Sequence, residues 1–168
     1  MSQSRIPTPS FNHFDADGQA VMVDVSAKDP TLRIAVAGCR VRMQLETLRA
    51  VLDRTVAKGD VLGVARLAGI SAAKRTDELI PLSHPLALHH LAVDFHPASE
   101  DGILEIRSTV KAFERTGVEM EAMVAASVAA LTVYDMCKGA DKRIAIENVV
   151  LLYKEGGKSG VFRREEDK

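Results

Sequence analysis

Strands and helices follow one another along this 168-residue chain in an order that predicts an α+β sandwich of the ferredoxin-like type, with helices on one face of an antiparallel sheet. Three observations carry that expectation. From Leu32 to Met43, β-branched and small residues alternate with arginines, as in a strand. Leu91, Val93 and Phe95 alternate with polar neighbours, and Leu104, Ile106, Ser108 and Val110 do the same beyond the turn at Glu100 to Gly102, which predicts a hairpin. Helical spacing precedes that hairpin and follows it.

In chain order, residues 1–12 are polar and proline-containing and are expected to be a flexible N-terminus. Met22 to Lys28 reads as a short strand, ahead of the strand Leu32 to Met43. Leu45, Leu48, Leu52 and Val56 place one apolar stripe on a helix that stops near Lys58-Gly59. Asp60 then caps a second helix, on which Val61, Val64, Ala65, Ala68 and Ala72 continue to Lys74-Arg75. Pro81 and Pro85 force an extended loop around Ser83-His84. After the hairpin, Thr116 and Glu119 have capping-box spacing and open a helix through Ala125, Val128, Leu131 and Tyr134 to Gly139. Ile144 to Tyr153 is the last strand. One catalytic domain is thus expected over residues 13–160, with residues 161–168 as a charged C-terminal tail.

Composition excludes several classes of function. Hydrophobic residues at 46% and charged residues at 27% are the profile of a globular protein. With 22 Lys plus Arg against 23 Asp plus Glu there is no overall field to attract nucleic acid or an anionic membrane. Aromatics at 4%, with no tryptophan, leave little to stack on unpaired bases. Cys39 and Cys137 form no CxxC pair, residues 1–12 hold no apolar leader, and no run is read as long enough to span a bilayer, so a reducing cytoplasm is expected.

Candidate chemistry collects at the ends of elements. Asp135 lies in the last turn of the alanine-rich helix, where the macrodipole disfavours an anion by roughly 0.3–1 kcal/mol. Such exceptions concentrate at functional sites, although an exposed helix-end aspartate is also a common solvated residue. Lys138 suits the helix end by itself; at i+3 it shares a face with Asp135, which can hold it in place and charged. Glu119 is explained by the capping box, whereas Glu121 has no structural assignment and could accept two N–H bonds from the edge of a guanine-type ring. His84, held between prolines, is a better candidate than His89, His90 or His96, and the His90, Asp94, His96 alternation more simply faces solvent than binds metal. Gly156-Gly157-Lys158-Ser159-Gly160 is not a Walker motif, because Leu152 stands where glycine is needed; a glycine loop with a lysine can still close over an anion. Lys58-Gly59-Asp60 and Lys74-Arg75 repeat anion-binding groups at helix ends.

These residues together resemble the cyclic pyranopterin monophosphate synthase family of molybdenum cofactor biosynthesis. The likeness runs from about Phe11 to Phe162, through Met22-Val23-Asp24-Val25-Ser26-Ala27-Lys28, Lys58-Gly59-Asp60, Ala72-Ala73-Lys74-Arg75-Thr76, Ile80-Pro81-Leu82-Ser83-His84-Pro85, Thr116-Gly117-Val118-Glu119-Met120-Glu121-Ala122, Tyr134-Asp135-Met136-Cys137-Lys138 and Gly156-Gly157-Lys158-Ser159-Gly160. It implies the ferredoxin-like fold and a phosphorus–oxygen lyase. The reaction would take (8S)-3′,8-cyclo-7,8-dihydroguanosine 5′-triphosphate, made by a radical S-adenosylmethionine enzyme, to cyclic pyranopterin monophosphate and diphosphate. The resemblance implies a catalytic Asp135 with Lys58 and Lys138 beside it, and substrate contacts from Leu82, Ser83, His84, Met120 and Glu121, with Glu119 and Arg33 near the pocket. Ser83 is a departure, since the family often has cysteine there. The family is a homohexamer, a trimer of dimers. Lys58 and Lys138 are acid/base candidates on the expectation that clustering lowers a lysine's pKa, and Lys74, Arg75, Lys154 and Lys158 are candidates for the phosphates. The sequence demands no metal or organic cofactor.

On one straight helix, the 14 residues from Glu121 to Asp135 span roughly 21 Å at about 1.5 Å per residue. One helix does not bring both to one reacting ring, so a site shared between subunits at a dimer interface is expected. Two other classes remain open: a ferredoxin-like regulatory module that binds a nucleotide without turnover, and a structural oligomerisation domain.

Overall fold

The computed structural model describes residues 13–15, 17–98 and 100–165, so residues 1–12 and 166–168 lie outside the described residues. A five-stranded sheet in the order β2-β3-β1-β4-β5 is built from β1 (Thr31–Arg42), β2 (His90–Ala98), β3 (Ile103–Glu114), β4 (Ala145–Glu155) and β5 (Phe162–Arg163). Every neighbouring pair is antiparallel. The helices are α1 (Leu45–Leu52), α2 (Val61–Ala73), the single turn α3 (Thr76–Leu79) and α4 (Glu119–Cys137). The first four strands and their two helical crossovers make the expected ferredoxin-like α+β arrangement, with β5 added at one edge.

β1 is central and its alternation decides the layering. Ala35, Ala37 and Val41 are fully buried beneath the helices, with Leu104, Ile106, Ser108, Val110 and Ala112 of β3 beside them. α4 lies on this layer through Ala122, Ala125, Ala126, Ala129, Ala130 and Val133, all without exposed surface. Alanine lets the helix axis come close to the sheet, and the Ser108 hydroxyl fixes the register by donating to the Ala122 carbonyl at 2.6 Å. α2 meets α4 at Gly69, where a Cβ would stand 2.7 Å from the Ala125 carbonyl oxygen and 3.3 Å from Ala129 Cβ. By length and composition α4 could cross a bilayer, contrary to the sequence expectation, with a mean hydropathy of 1.3 over the best window. That window is 56% buried inside the protein, and here α4 is a core helix.

Several local expectations are overturned. Met22 to Lys28 is not a strand; it runs irregularly past the loop that carries His84, and among the described residues the only nearby pairing is the isolated bridge between Phe14 and Ala20. α1 ends at Leu52 rather than near Lys58-Gly59, because Arg54 takes φ 57° and the Thr55 and Arg54 amides donate to the Ala50 and Val51 carbonyls. This closure normally falls to glycine, so an arginine hid it. Val56 packs on the core from the following loop instead. The Thr116–Glu119 capping box does not form: Val118 is the N-cap and makes no side-chain cap bond. Phe162–Arg163, within the expected charged tail, pair with Tyr153 and Lys154. The Asp60 cap forms as expected, accepting from the Gly63 amide at 2.9 Å.

One buried acid was not anticipated. Asp141 has no exposed surface and accepts from the Gln44 amide at 2.8 Å, the Gln44 side chain at 3.3 Å and the Arg143 amide at 2.9 Å. It ties the α4–β4 turn to the start of α1. The bond from the Gln44 amide, more than any other contact, holds its carboxyl below the ordinary carboxylate range. Asp141→Ala is expected to cost about 2–3 kcal/mol in urea unfolding at pH 7, since it strands buried amide donors. A depressed folded pKa contributes stability above the unfolded value of 3.8 and loses it as pH falls further, so the deficit of the variant should shrink in acid.

Candidate active site

The residues singled out from the sequence fall into two groups at opposite ends of α4. At its C-terminal end, Asp135 Oδ1 lies 2.6 Å from Lys138 Nζ, and Asp135 Oδ2 lies 3.7 Å from Lys58 Nζ. Lys58 comes from the α1–α2 loop and donates to the Asp135 backbone carbonyl at 2.7 Å. It thus satisfies a carbonyl that the helix end leaves free, and its charge offsets the negative end of the dipole. This explains how an aspartate is tolerated there: two cations surround it. Lys138 first and Lys58 second hold the Asp135 carboxyl below its ordinary range, while Asp135 holds the Lys138 ammonium above its own. The expected lowering of the Lys138 pKa is therefore reversed in the protomer, because its nearest partner is an anion rather than another lysine. All three side chains are at least half exposed, which leaves them open to a ligand.

At the N-terminal end, a cleft of about 380 Å³ is lined by Leu82, Ser83, His84, Glu119, Met120 and Glu121 together with Lys28, Val23 and Thr116. The proline-bounded loop delivers His84, whose Nε2 is 2.9 Å from the Val23 carbonyl oxygen. Lys28 was not singled out on its own; its only sequence signal was membership in the 22–28 motif. Glu119 faces Lys154 Nζ at 2.9 Å, and Lys154 also donates to the Ser159 hydroxyl at 3.0 Å. The carboxylate assigned to a capping box instead anchors the lysine beneath the glycine loop. Arg33 is buried and donates to the Glu114 and Arg115 carbonyls at 3.0 and 3.1 Å, and its guanidinium packs against Gly157 so closely that a Cβ there has no room. Gly156 and Gly157 take φ of 105° and 73°, so this loop requires glycine.

Glu121 stands apart. It is 3% exposed, and its Oε2 has no hydrogen-bond partner. Burial pushes its carboxyl up to about 7, a bond from its own backbone N–H pulls the other way, and Glu119 and Asp77 add to the rise. A buried, unpartnered oxygen at the wall of a cleft is what a ligand N–H would satisfy.

Lys74 and Arg75 are exposed at the α2–α3 junction, and Lys158 is exposed in the glycine loop; among the described residues none of the three enters an ion pair. A wider hollow of about 670 Å³ over the bare face of the sheet contains Arg40, Glu105 and Arg107, already joined by ion pairs, and none of the candidate residues. His90, Asp94 and His96 are exposed, and among the described residues no group of three or more His, Cys, Asp or Glu side chains is gathered as for a metal ion. Cys39 and Cys137 are buried free thiols.

The architecture is thus that of a ferredoxin-like α+β protein with a titratable cleft at one end of its core helix and an acid–ammonium cluster at the other. Residues 22–157 match the MoaC family, and the chain belongs to that family. It is 70% identical over 159 residues to the cyclic pyranopterin monophosphate synthase of Geotalea uraniireducens, covering 95% of this chain and 99% of the relative. Identity is 67% over 157 residues to the protein of the same name from Pelobacter propionicus, covering 94% of this chain and 98% of the relative. To that of Rhodospirillum rubrum it is 57% over 152 residues, covering 90% and 92%.

The position of Glu121 has a measurable cost. Between pH 4.5 and about 7 the folded protein holds a proton that the unfolded chain has released, so stability falls as pH rises through that window and levels off above it. Glu121→Gln should be more stable than the parent at pH 8 by about 1–3 kcal/mol and should lack this pH dependence in urea titrations. Equal slopes for the two proteins would mean that Glu121 is not ionised against burial.

Proposed function

We propose that this chain is a cyclic pyranopterin monophosphate synthase, a cytoplasmic phosphorus–oxygen lyase that converts (8S)-3′,8-cyclo-7,8-dihydroguanosine 5′-triphosphate to cyclic pyranopterin monophosphate and diphosphate. What carries the reading is the conjunction of near full-length identity to proteins of that name with a polar constellation at each end of α4. The reaction must open a ring, close a pterin and expel diphosphate as the remaining phosphate cyclises, so it requires proton transfer and cationic groups together. Lys138, held protonated by Asp135, suits a proton donor. Lys58, also beside Asp135, is the second acid/base group. Glu121 with His84 suits the nitrogen-bearing ring, and Lys154, Lys158, Lys74 and Arg75 suit the phosphates. Arg33 acts through the backbone it holds, positioning the glycine loop against the segment that leads into α4.

Glu121 and Asp135 belong to one uninterrupted helix of 19 residues and stand roughly 21 Å apart along it, at about 1.5 Å per residue. A substrate of nucleotide size that needs both takes them from two protomers. The working enzyme is then a dimer-based assembly, a trimer of dimers, with each site shared between subunits.

Turnover decides the central claim. Purified protein incubated with the cyclised nucleotide should release diphosphate, and Asp135→Asn should slow release by about 10²-fold or more. A tight complex without product would favour a nucleotide-binding regulatory module. Mixing inactive Glu121→Ala and Asp135→Ala variants under subunit exchange should restore part of the activity; no recovery would place each complete site within one protomer.

A further inference from the structure

Residues 22–28 supply one wall of the cleft, contributing Val23, Val25 and Lys28, yet they belong to no helix or strand. Within the segment, the Ser26 amide donates to Asp24 Oδ1 at 2.8 Å and the Lys28 amide to the Val25 carbonyl at 3.1 Å. Such local bonds shape a turn but do not fix where the turn stands on the protein. Among the described residues, hydrogen bonds from elsewhere in the chain reach the segment at two carbonyls. His84 Nε2 meets that of Val23 at 2.9 Å, and Arg115 Nη1 donates to that of Ser26 at 2.8 Å.

Arg115 is the better anchored of the two. It follows directly on β3, and buried Arg33 donates to the Glu114 and Arg115 carbonyls at 3.0 and 3.1 Å, which fixes the backbone from which its side chain reaches. The Glu114 carboxylate accepts from the Ala87 amide at 3.3 Å, just beyond the loop that carries His84. The glycine loop packed on Arg33, the His84 loop and the 22–28 wall are thus all referred to one dipeptide at the end of β3. A single exposed hydrogen bond adds little to global stability, but as one of two ties on a segment its loss is felt locally. Arg115 is not among the residues lining the cleft, so its effect there passes through the backbone it holds.

We propose that Arg115 is a positioning residue of the cleft: by holding the Ser26 carbonyl it sets where the 22–28 wall stands, and with it how the Lys28 ammonium is presented to an anionic substrate. A lysine reaches an anion only from where its backbone lies, and a shift of about 1 Å in a positioned group is felt in turnover. The proposal rests on the synthase reading and adds to it a residue that acts without touching the substrate.

Arg115→Ala should speed amide hydrogen exchange across residues 22–28 by about tenfold or more while α4 and β1 exchange as in the parent. With the cyclised nucleotide, the same variant should raise KM about fivefold or more and leave kcat within about twofold. Arg115→Lys, which returns a cationic donor on a stem of similar length, should restore the parent KM. In a Lys28→Ala background, Arg115→Ala should change KM by no more than about twofold, because its effect passes through Lys28. Unchanged exchange at residues 22–28, or an unchanged KM in Arg115→Ala, overturns the proposal. Effects of the two substitutions that multiply in the double variant overturn it as well, since Arg115 would then meet the substrate itself. A parent that releases no diphosphate sinks the synthase reading alone; the same comparisons are then made with the Kd of the cyclised nucleotide in place of KM, and the exchange result stands as before.

Discussion

The close approach of α4 to the sheet and to α2 governs everything else in this molecule. Five alanines and Val133, all without exposed surface, let the helix lie directly on β1 and β3, and Gly69 lets α2 come within contact of the Ala125 carbonyl. Packing this tight tolerates neither kink nor displacement. The helix runs uninterrupted from Glu119 to Cys137, and the Ser108–Ala122 bond sets where along the sheet it begins. The positions of both candidate groups follow from that one placement.

The two ends are electrically different. Around Asp135, exposed cations and a carboxylate settle each other's charge: the acid is held ionised and Lys138 protonated. Around Glu121, burial without a cation partner leaves a carboxyl poised near neutrality with one oxygen unanswered. Lys154 is committed to Glu119 and Ser159. The protomer is thus satisfied at one end and incomplete at the other. Tuning of this kind is worth little to folding and suits ligand chemistry.

Much of this was legible in the residues. Alternation in β1 and in the β2–β3 hairpin and the Asp60 cap each follow from local chemistry, and each stands in the structure. The misreadings were also local. Arg54 closes α1 where glycine was expected, the 22–28 segment alternates like a strand but lines the cleft with Val23 and Lys28, and Glu119 passes over its capping role for Lys154. For the 22–28 segment and Glu119 a contact distant in sequence outweighed a propensity worth about 1 kcal/mol or less, whereas at Arg54 a local closure that glycine usually makes is made by an arginine.

By itself the sequence determined the order and type of the main elements, the apolar length of α4, and the presence of an acid and an ammonium one turn apart at its end, because these depend on periodicity and spacing within a few residues. Only the tertiary structure decided that Lys58 reaches Asp135 across 77 positions, that Lys154 binds Glu119 rather than a free anion, that Asp141 is a buried tie, and that Glu121 is sealed with an unpaired oxygen. Charge state and burial depend on what the fold brings within a few ångströms, and no local pattern encodes that distance.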